Sequence, residues 1–198
     1  MMNIAILGAT GNFGRLFAAK LLANPNYHII AISKSAGNIY EDSFRVTTKT
    51  IDATNKKDLK NALEDVDLVY CAVSGPDQAA IARNLVELNP KRLIYMTVVG
   101  IYNELEGEGA EFNLENETEQ IPNRNAASII EESDLDYTIL RLGYIVYSDE
   151  KEFVITKKGE SAKGYVTNVK PVEDIILDII KNPDLYSRES IAITRDMS

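Results

Sequence analysis

Residues 3–15 read NIAILGATGNFGR: an apolar run, then Gly8, Gly11 and Gly14 at every third position, then the start of a segment with helical period. A strand, a tight turn and a helix in that order are the context in which a glycine triplet counts as a dinucleotide fingerprint. Glycine is needed there because a Cβ would collide with a pyrophosphate or with the packed strand. The helix N-terminus also offers free backbone N–H groups to the anion. On this reading Gly11→Val or Gly14→Val removes dinucleotide binding and leaves the protein folded.

The remainder of the chain repeats that alternation. Strands are expected at Asn3 to Leu7, Tyr27 to Ser33, Val46 to Ile51, Leu68 to Val73, Leu93 to Val98, Tyr137 to Leu142 and Ile191 to Ile193. Helices are expected at Phe13 to Ala23, Lys56 to Leu63, Asp77 to Leu88, Ala126 to Glu132 and Val172 to Lys181. Strands that are nearly all apolar belong to a sheet covered on both faces. The expectation is one α/β domain over 1–198, a doubly wound Rossmann fold with a mainly parallel sheet of six to seven strands flanked by helices. Segments 100–124 and 143–168 form a small substrate side.

Composition narrows the partners. A formal net charge of −9 opposes binding to a phosphate backbone, so no nucleic acid is expected. There is neither a run of about eighteen apolar residues nor a basic leader with a cleavage site, so no membrane partner is expected and the chain reads as cytoplasmic. The lone Cys71 lies in the apolar run LVYCAV and reads as a small buried side chain. No metal-ligand spacing occurs. A small-molecule substrate and a monomer or homodimer are expected.

GATGNFGR (8–15), SDLDYTILRLGY (133–144) and VKPVEDIILDII (169–180) together resemble the atypical and extended short-chain dehydrogenase/reductase superfamily, in particular its short NmrA-like NAD(P)H-binding members. The resemblance spans nearly the whole chain. It implies a cofactor cradle of Gly8, Thr10, Gly11, Asn12, Phe13, Gly14 and Arg15. It further implies adenine contacts at Asp52 and Ala53, and a wall beside the nicotinamide ribose made by Ala72, Val73 and Ser74.

Charge argues for the cofactor. The second strand ends AISKSAG, which puts Ser33 and Lys34 at its tip with no carboxylate beside them, and Arg15 follows the last glycine. A 2′-phosphate fits that tip better than a bare diol, so NADP (NADPH) is expected ahead of NAD. The other reading makes Lys34 a solvated loop lysine and Arg15 a surface helix residue.

The reacting group is harder to find. The superfamily's usual Tyr-x-x-x-Lys pair lowers a tyrosine pKa so that the phenol protonates the product. Of the ten tyrosines only Tyr147 has lysine four residues on, at Lys151, in the polar stretch YSDEK rather than on the helix expected to carry the pair; Tyr137 has Arg141 there, in an extended strand. The helix that should carry the pair contains RNAASIIEE, whose Arg124 and Ser128 are polar and can face the cleft. Thr97, ending LIYMT, matches the serine or threonine that the resemblance places beside the nicotinamide; ordinary strand-end hydrogen bonding is its alternative role. Tyr144 and Tyr147 are either an aromatic wall for a flat acceptor or core packing. His28 starts the second strand, far from the carboxyl ends of the sheet, and takes no role.

Without the pair, hydride transfer is expected only to acceptors whose electronics ease proton delivery, such as quinones or flavins. The candidate catalytic residues are Thr97 and Tyr144. The alternative is a non-catalytic NADP-binding protein that reports redox state to a partner. Residues 104–119 carry Glu104, Glu106, Glu108, Glu111, Glu115, Glu117 and Glu119 and read as a solvated, mobile acidic face that disfavours acidic substrates.

Overall fold

The computed structural model describes residues 1–197. The first apolar run is β1 (Met2–Leu7), and the turn after it leads into α1 (Asn12–Leu22). There follow β2 (Tyr27–Ser33), β3 (Val46–Thr50), α2 (Lys56–Ala62), β4 (Leu68–Cys71), α3 (Gln78–Leu88) and β5 (Leu93–Val98). The second half holds α4 (Ile121–Glu131), β6 (Tyr137–Leu142), β7 (Tyr144–Val146), β8 (Val154–Lys157), β9 (Val166–Asn168), α5 (Val169–Lys181) and β10 (Glu189–Thr194).

The main sheet has eight strands in the order β3-β2-β1-β4-β5-β6-β10-β8, all parallel except β8, which pairs antiparallel with β10. Alternate residues of β1 explain why both faces are covered. Ala5 and Leu7 join the core formed with α2, α3 and α4, and Ile4 and Ile6 join the one formed with α1 and α5. The chain winds outward from β1 through β2 to β3, then returns to place β4 on the other flank of β1. That reversal opens a crevice at the carboxyl ends of β1 and β4, where ligands of open α/β sheets bind.

Two departures from the sequence reading have physical causes. The six to seven expected strands become eight, with β7 and β9 forming a separate parallel ribbon. These strands are three or four residues long and are defined by partners far along the chain, so no local period announces them. Helix α4 begins at Ile121 rather than Ala126, because Pro122 in its first turn needs no intrahelical acceptor for the N–H it lacks.

The acidic segment also differs from expectation. Glu106, Glu108, Glu111, Glu115 and Glu119 are exposed, but Glu104 is buried. Its carboxylate accepts from the fully buried Arg141 of β6 and from the Tyr102 N–H at 2.9 Å. Arg141 also donates to Ser190 Oγ at 3.1 Å and to the Thr156 carbonyl at 3.0 Å. Asn113 is buried too, and its amide bonds both the N–H and the carbonyl of Leu105 (3.0 and 2.9 Å). The segment is therefore an anchored strap with an acidic outer face.

Candidate cofactor and substrate site

The glycine turn is built by close approach. Gly8 has φ +80° and faces the Ala72 carbonyl, where a Cβ would sit 3.0 Å from the oxygen. At Gly14 a Cβ would lie 2.8 Å from the Ala9 Cα and nearer still to the Gly8 carbonyl oxygen. Gly11 is different, since it adopts an extended φ of −72° and a Cβ there would meet only Gly8 O, at 3.3 Å. The packing of the chain thus demands glycine at Gly8 and Gly14 but hardly at Gly11. Valine at Gly14 would therefore disrupt the fold, against the expectation from sequence.

Above Gly11 the loop is bare. The N–H groups of Asn12, Phe13 and Gly14 open α1 and have no acceptor within the helix, which suits them to an anion. Beside this cradle lies a cavity of about 240 Å³ between the carboxyl ends of β1 to β4 and the start of α3. Gly8, Ser33, Lys34, Asp52, Ala53, Val73 and Ser74 line it, joined by Asp77 and Ile81. A glycine cradle, orphan N–H groups and a half-apolar cavity beside them fit a dinucleotide.

The other expected cofactor residues are placed as follows. Thr10 hydrogen-bonds Ser33 Oγ at 3.2 Å and accepts from Ser35 Oγ at 3.3 Å. Phe13 packs against the core on the α1 and α5 face, and Ala72 lies beneath Gly8. Asn12 and Arg15 line an open groove with Tyr147. Arg15 is exposed and has no ion pair among the described residues.

Lys34 is not the free cation of the sequence reading. Its Nζ lies 3.0 Å from Asp52 Oδ2 and 3.3 Å from Asp77 Oδ2. Carboxylates 18 and 43 residues along the chain reach the tip of β2 because β3 ends and α3 begins beside it. The Asp52 carboxyl is lowered to about 2, first by hydrogen bonds from the Thr54 N–H and hydroxyl and then by Lys34. Lys34 is raised in turn by the same two carboxylates.

A second cavity, of about 200 Å³, lies past the ends of β5 and β6. Val98, Leu142, Phe112, Tyr144, Tyr165 and Gln120 are among its walls. Tyr144 is 72% exposed and so is no core residue. The Phe112 and Tyr165 rings meet tilted at 40° with centroids 5.4 Å apart, and Tyr165 donates to Glu108 at 3.1 Å. Gly143 of the RLGY motif is required here, because a Cβ would run into the Tyr165 carbonyl. Thr97 is buried; its hydroxyl donates to Asn123 Oδ1 at 3.3 Å, and Asn123 Nδ2 donates to Gln120 Oε1 at 2.8 Å. The line from Thr97 to the cavity is therefore neutral throughout. Arg124 and Ser128 bond each other, and the guanidinium lies over the Tyr102 ring at 5.0 Å and 4.0 Å from Glu131. They do not join the Thr97 line.

Asn123, Gln120, Phe112, Tyr165 and Asp77 were not singled out from the sequence. Only Asp77 carried a usable signal, as an acidic residue just before a helix at the carboxyl end of β4. His28 bonds the Phe44 carbonyl and Thr47 at the opposite end of the sheet. No cluster of metal-binding side chains occurs among the described residues. Nor, among them, is any helix long and apolar enough to cross a membrane.

Residues 8–183 match the model of the family described as NAD(P)H-binding. The chain belongs to that family. Among solved structures it is similar to a short-chain dehydrogenase/reductase from Veillonella parvula in complex with NADP. That likeness has 25% identity and a TM-score of 0.87, over 99% of this chain and 95% of that one. It is likewise similar to a Rossmann-fold NAD(P)-binding family protein from Shigella flexneri, with 28% identity and a TM-score of 0.82 over 100% and 95% of the two chains. The anaerobillin reductase ChuY from Escherichia coli O157:H7 shares the fold at 18% identity, with a TM-score of 0.80 over 100% and 98%. No curated protein matches the sequence. These likenesses agree with the short-chain dehydrogenase/reductase resemblance of the three sequence motifs and with a Rossmann fold that binds NAD(P)H.

Proposed function

We propose that this protein is an NADPH-dependent reductase that passes hydride to a small, flat, conjugated acceptor of the quinone or flavin kind. The observation that carries the proposal is the neutral line Thr97, Asn123, Gln120 leading to an aromatic-walled cavity. Every tyrosine whose acidity the fold alters is made a weaker acid, mainly by burial, or at Tyr165 by the Glu108 carboxylate. That is the reverse of what a lysine partner does for a catalytic phenol. A ketone reduced here would form a basic alkoxide with no phenol that the fold has made a stronger acid to meet it, whereas a quinone or flavin spreads the charge over its rings.

When bound, the reduced nicotinamide supplies a hydride, two electrons with one proton. In a quinone the second proton comes from water. The chain's own part is positioning. The α1 N-terminus and Gly11 would seat the pyrophosphate, and Asp52 and Ala53 would border the adenine. Val73 and Ser74 would border the nicotinamide ribose, with Thr97 beside the carboxamide and Tyr144, Phe112 and Tyr165 against the acceptor. The exposed, unpaired Arg15 and the NADP complex of the Veillonella structure favour NADPH over NADH. The acidic outer face of the strap favours acceptors without anionic groups.

The test is NADPH consumption with a naphthoquinone, an oxidised flavin and an aliphatic ketone at equal concentration. Turnover with the first two and very little with the ketone is expected. A ketone reduced as fast as the quinone would overturn the proposal. Tight NADP⁺ binding with no turnover on any acceptor would replace it with the redox-reporting role.

A further inference from the structure

Lys34 reaches from the tip of β2 across the mouth of the first cavity to carboxylates on two other elements, Asp52 after β3 and Asp77 before α3. The three charges sum to −1, so the group as it stands repels a phosphate dianion. Close by, Thr10, Ser33 and Ser35 form a hydroxyl cluster able to donate to phosphate oxygens. The two carboxylates are not equivalent. Asp52 is held by Thr54 N and Oγ1 at 2.9 and 2.8 Å and stays in place whether or not the lysine is present. Asp77 makes no side-chain cap of α3, and among the described residues Lys34 is its one side-chain partner.

We propose that Asp77, with Asp52, sets the cofactor preference by holding Lys34 in a latch that a 2′-phosphate opens and a bare ribose does not. Both ion pairs are solvent-exposed, and such pairs are weak enough to be exchanged for a stronger anion. A phosphate dianion carries more charge than either carboxylate and presents several acceptor oxygens to one ammonium. A cofactor lacking it leaves Lys34 where it is, and the cavity then meets the ribose with the lysine's charge already neutralised. The latch therefore narrows the gap between NADPH and NADH that an unpaired lysine would create. It rests on the dinucleotide reading of this cavity and not on the identity of the acceptor.

The experiment is calorimetric titration of the intact protein with adenosine 2′,5′-bisphosphate and with 5′-AMP, probes that lack the nicotinamide and so are blind to hydride transfer. Asp77→Asn should tighten the bisphosphate about five- to tenfold and leave 5′-AMP within about a factor of two. Asp77→Ser, which also restores a capping hydroxyl to α3, should do the same and guards against a folding artefact in either variant. In Lys34→Met/Asp77→Asn the gain should vanish. An unchanged ratio of the two affinities in both Asp77 variants would overturn the latch. So would a gain that survives in the double variant, since it would then come from lost carboxylate repulsion alone. If the wild-type protein bound neither nucleotide, the dinucleotide reading of the cavity would fail and the latch with it. Quinone turnover with NADPH in the wild-type protein, measured separately, tells failure of the latch alone from failure of the dinucleotide reading.

Discussion

Gly14 packs its bare Cα against the carbonyl oxygen of Gly8, with no room for a Cβ between them. Gly11, three residues earlier on the same turn, has that room. One motif therefore contains two kinds of glycine, one that the fold requires and one that only a ligand would.

Gly14→Ala should lower stability by about 1–3 kcal/mol through overpacking, read as a fall in the urea midpoint. Gly11→Val should stay near wild-type stability and lose at least about tenfold in NADP⁺ affinity, because its side chain occupies the space above the helix N-terminus. Undiminished affinity in Gly11→Val would place the pyrophosphate elsewhere.

Thr97→Ala and Asn123→Ala should each reduce kcat/KM for a quinone by only about two- to tenfold, the worth of one hydrogen bond. Tyr144→Phe should be silent, while Tyr144→Ala raises KM by removing an aromatic face. A loss of a thousandfold or more in Tyr144→Phe would reveal a phenol acting as general acid.

Glu104→Gln leaves Arg141 charged, buried and without a counter-ion, so unfolding free energy should drop by about 3–5 kcal/mol. The strap should loosen with it. A Glu-specific protease should then cut within 106–119 faster than in the wild-type protein, and equal cutting rates would mean that the strap is held by Asn113 alone.

Burial pushes the Cys71 thiol up to about 12, and only the Val73 N–H partly offsets it. The thiol should resist alkylation in the native protein at pH 9 and react on unfolding. The sign of the stability effect follows. Below the unfolded pKa, near 8.5, both states hold the proton and nothing is lost. Between there and about 12 the unfolded state releases it first, so stability falls by about 1.4 kcal/mol per pH unit for this group. Tyr70 and Tyr95, raised by burial and by the neighbouring Cys71, steepen the decline above about pH 10. Cys71→Ala should remove the part that begins near pH 9, seen as a flatter plot of urea midpoint against pH.

By itself the sequence determined the doubly wound core and the strand, turn and helix of the glycine motif, because both are local. Alternation of apolar strands with helices needs only neighbouring residues, and the glycine spacing reports a single strand, turn and helix at 2–22. That the helix expected to carry Tyr-x-x-x-Lys has no tyrosine was equally legible, since it concerns residues four apart; the one such spacing, Tyr147 and Lys151, falls outside the described helices.

Tertiary structure decided whatever depends on residues distant in the chain. Lys34 looked free at the tip of β2 because its carboxylates come from the end of β3 and the start of α3, which only the strand order brings beside it. Glu104 looked like one of seven solvated glutamates until β6 set Arg141 beneath it. The aromatic cavity joins Phe112, Tyr144 and Tyr165, and the β7 and β9 ribbon that carries two of its walls has no periodic signature of its own. Charge pairing and cavity walls are properties of three-dimensional neighbours, and a one-dimensional pattern records them only where the neighbours are also close in sequence.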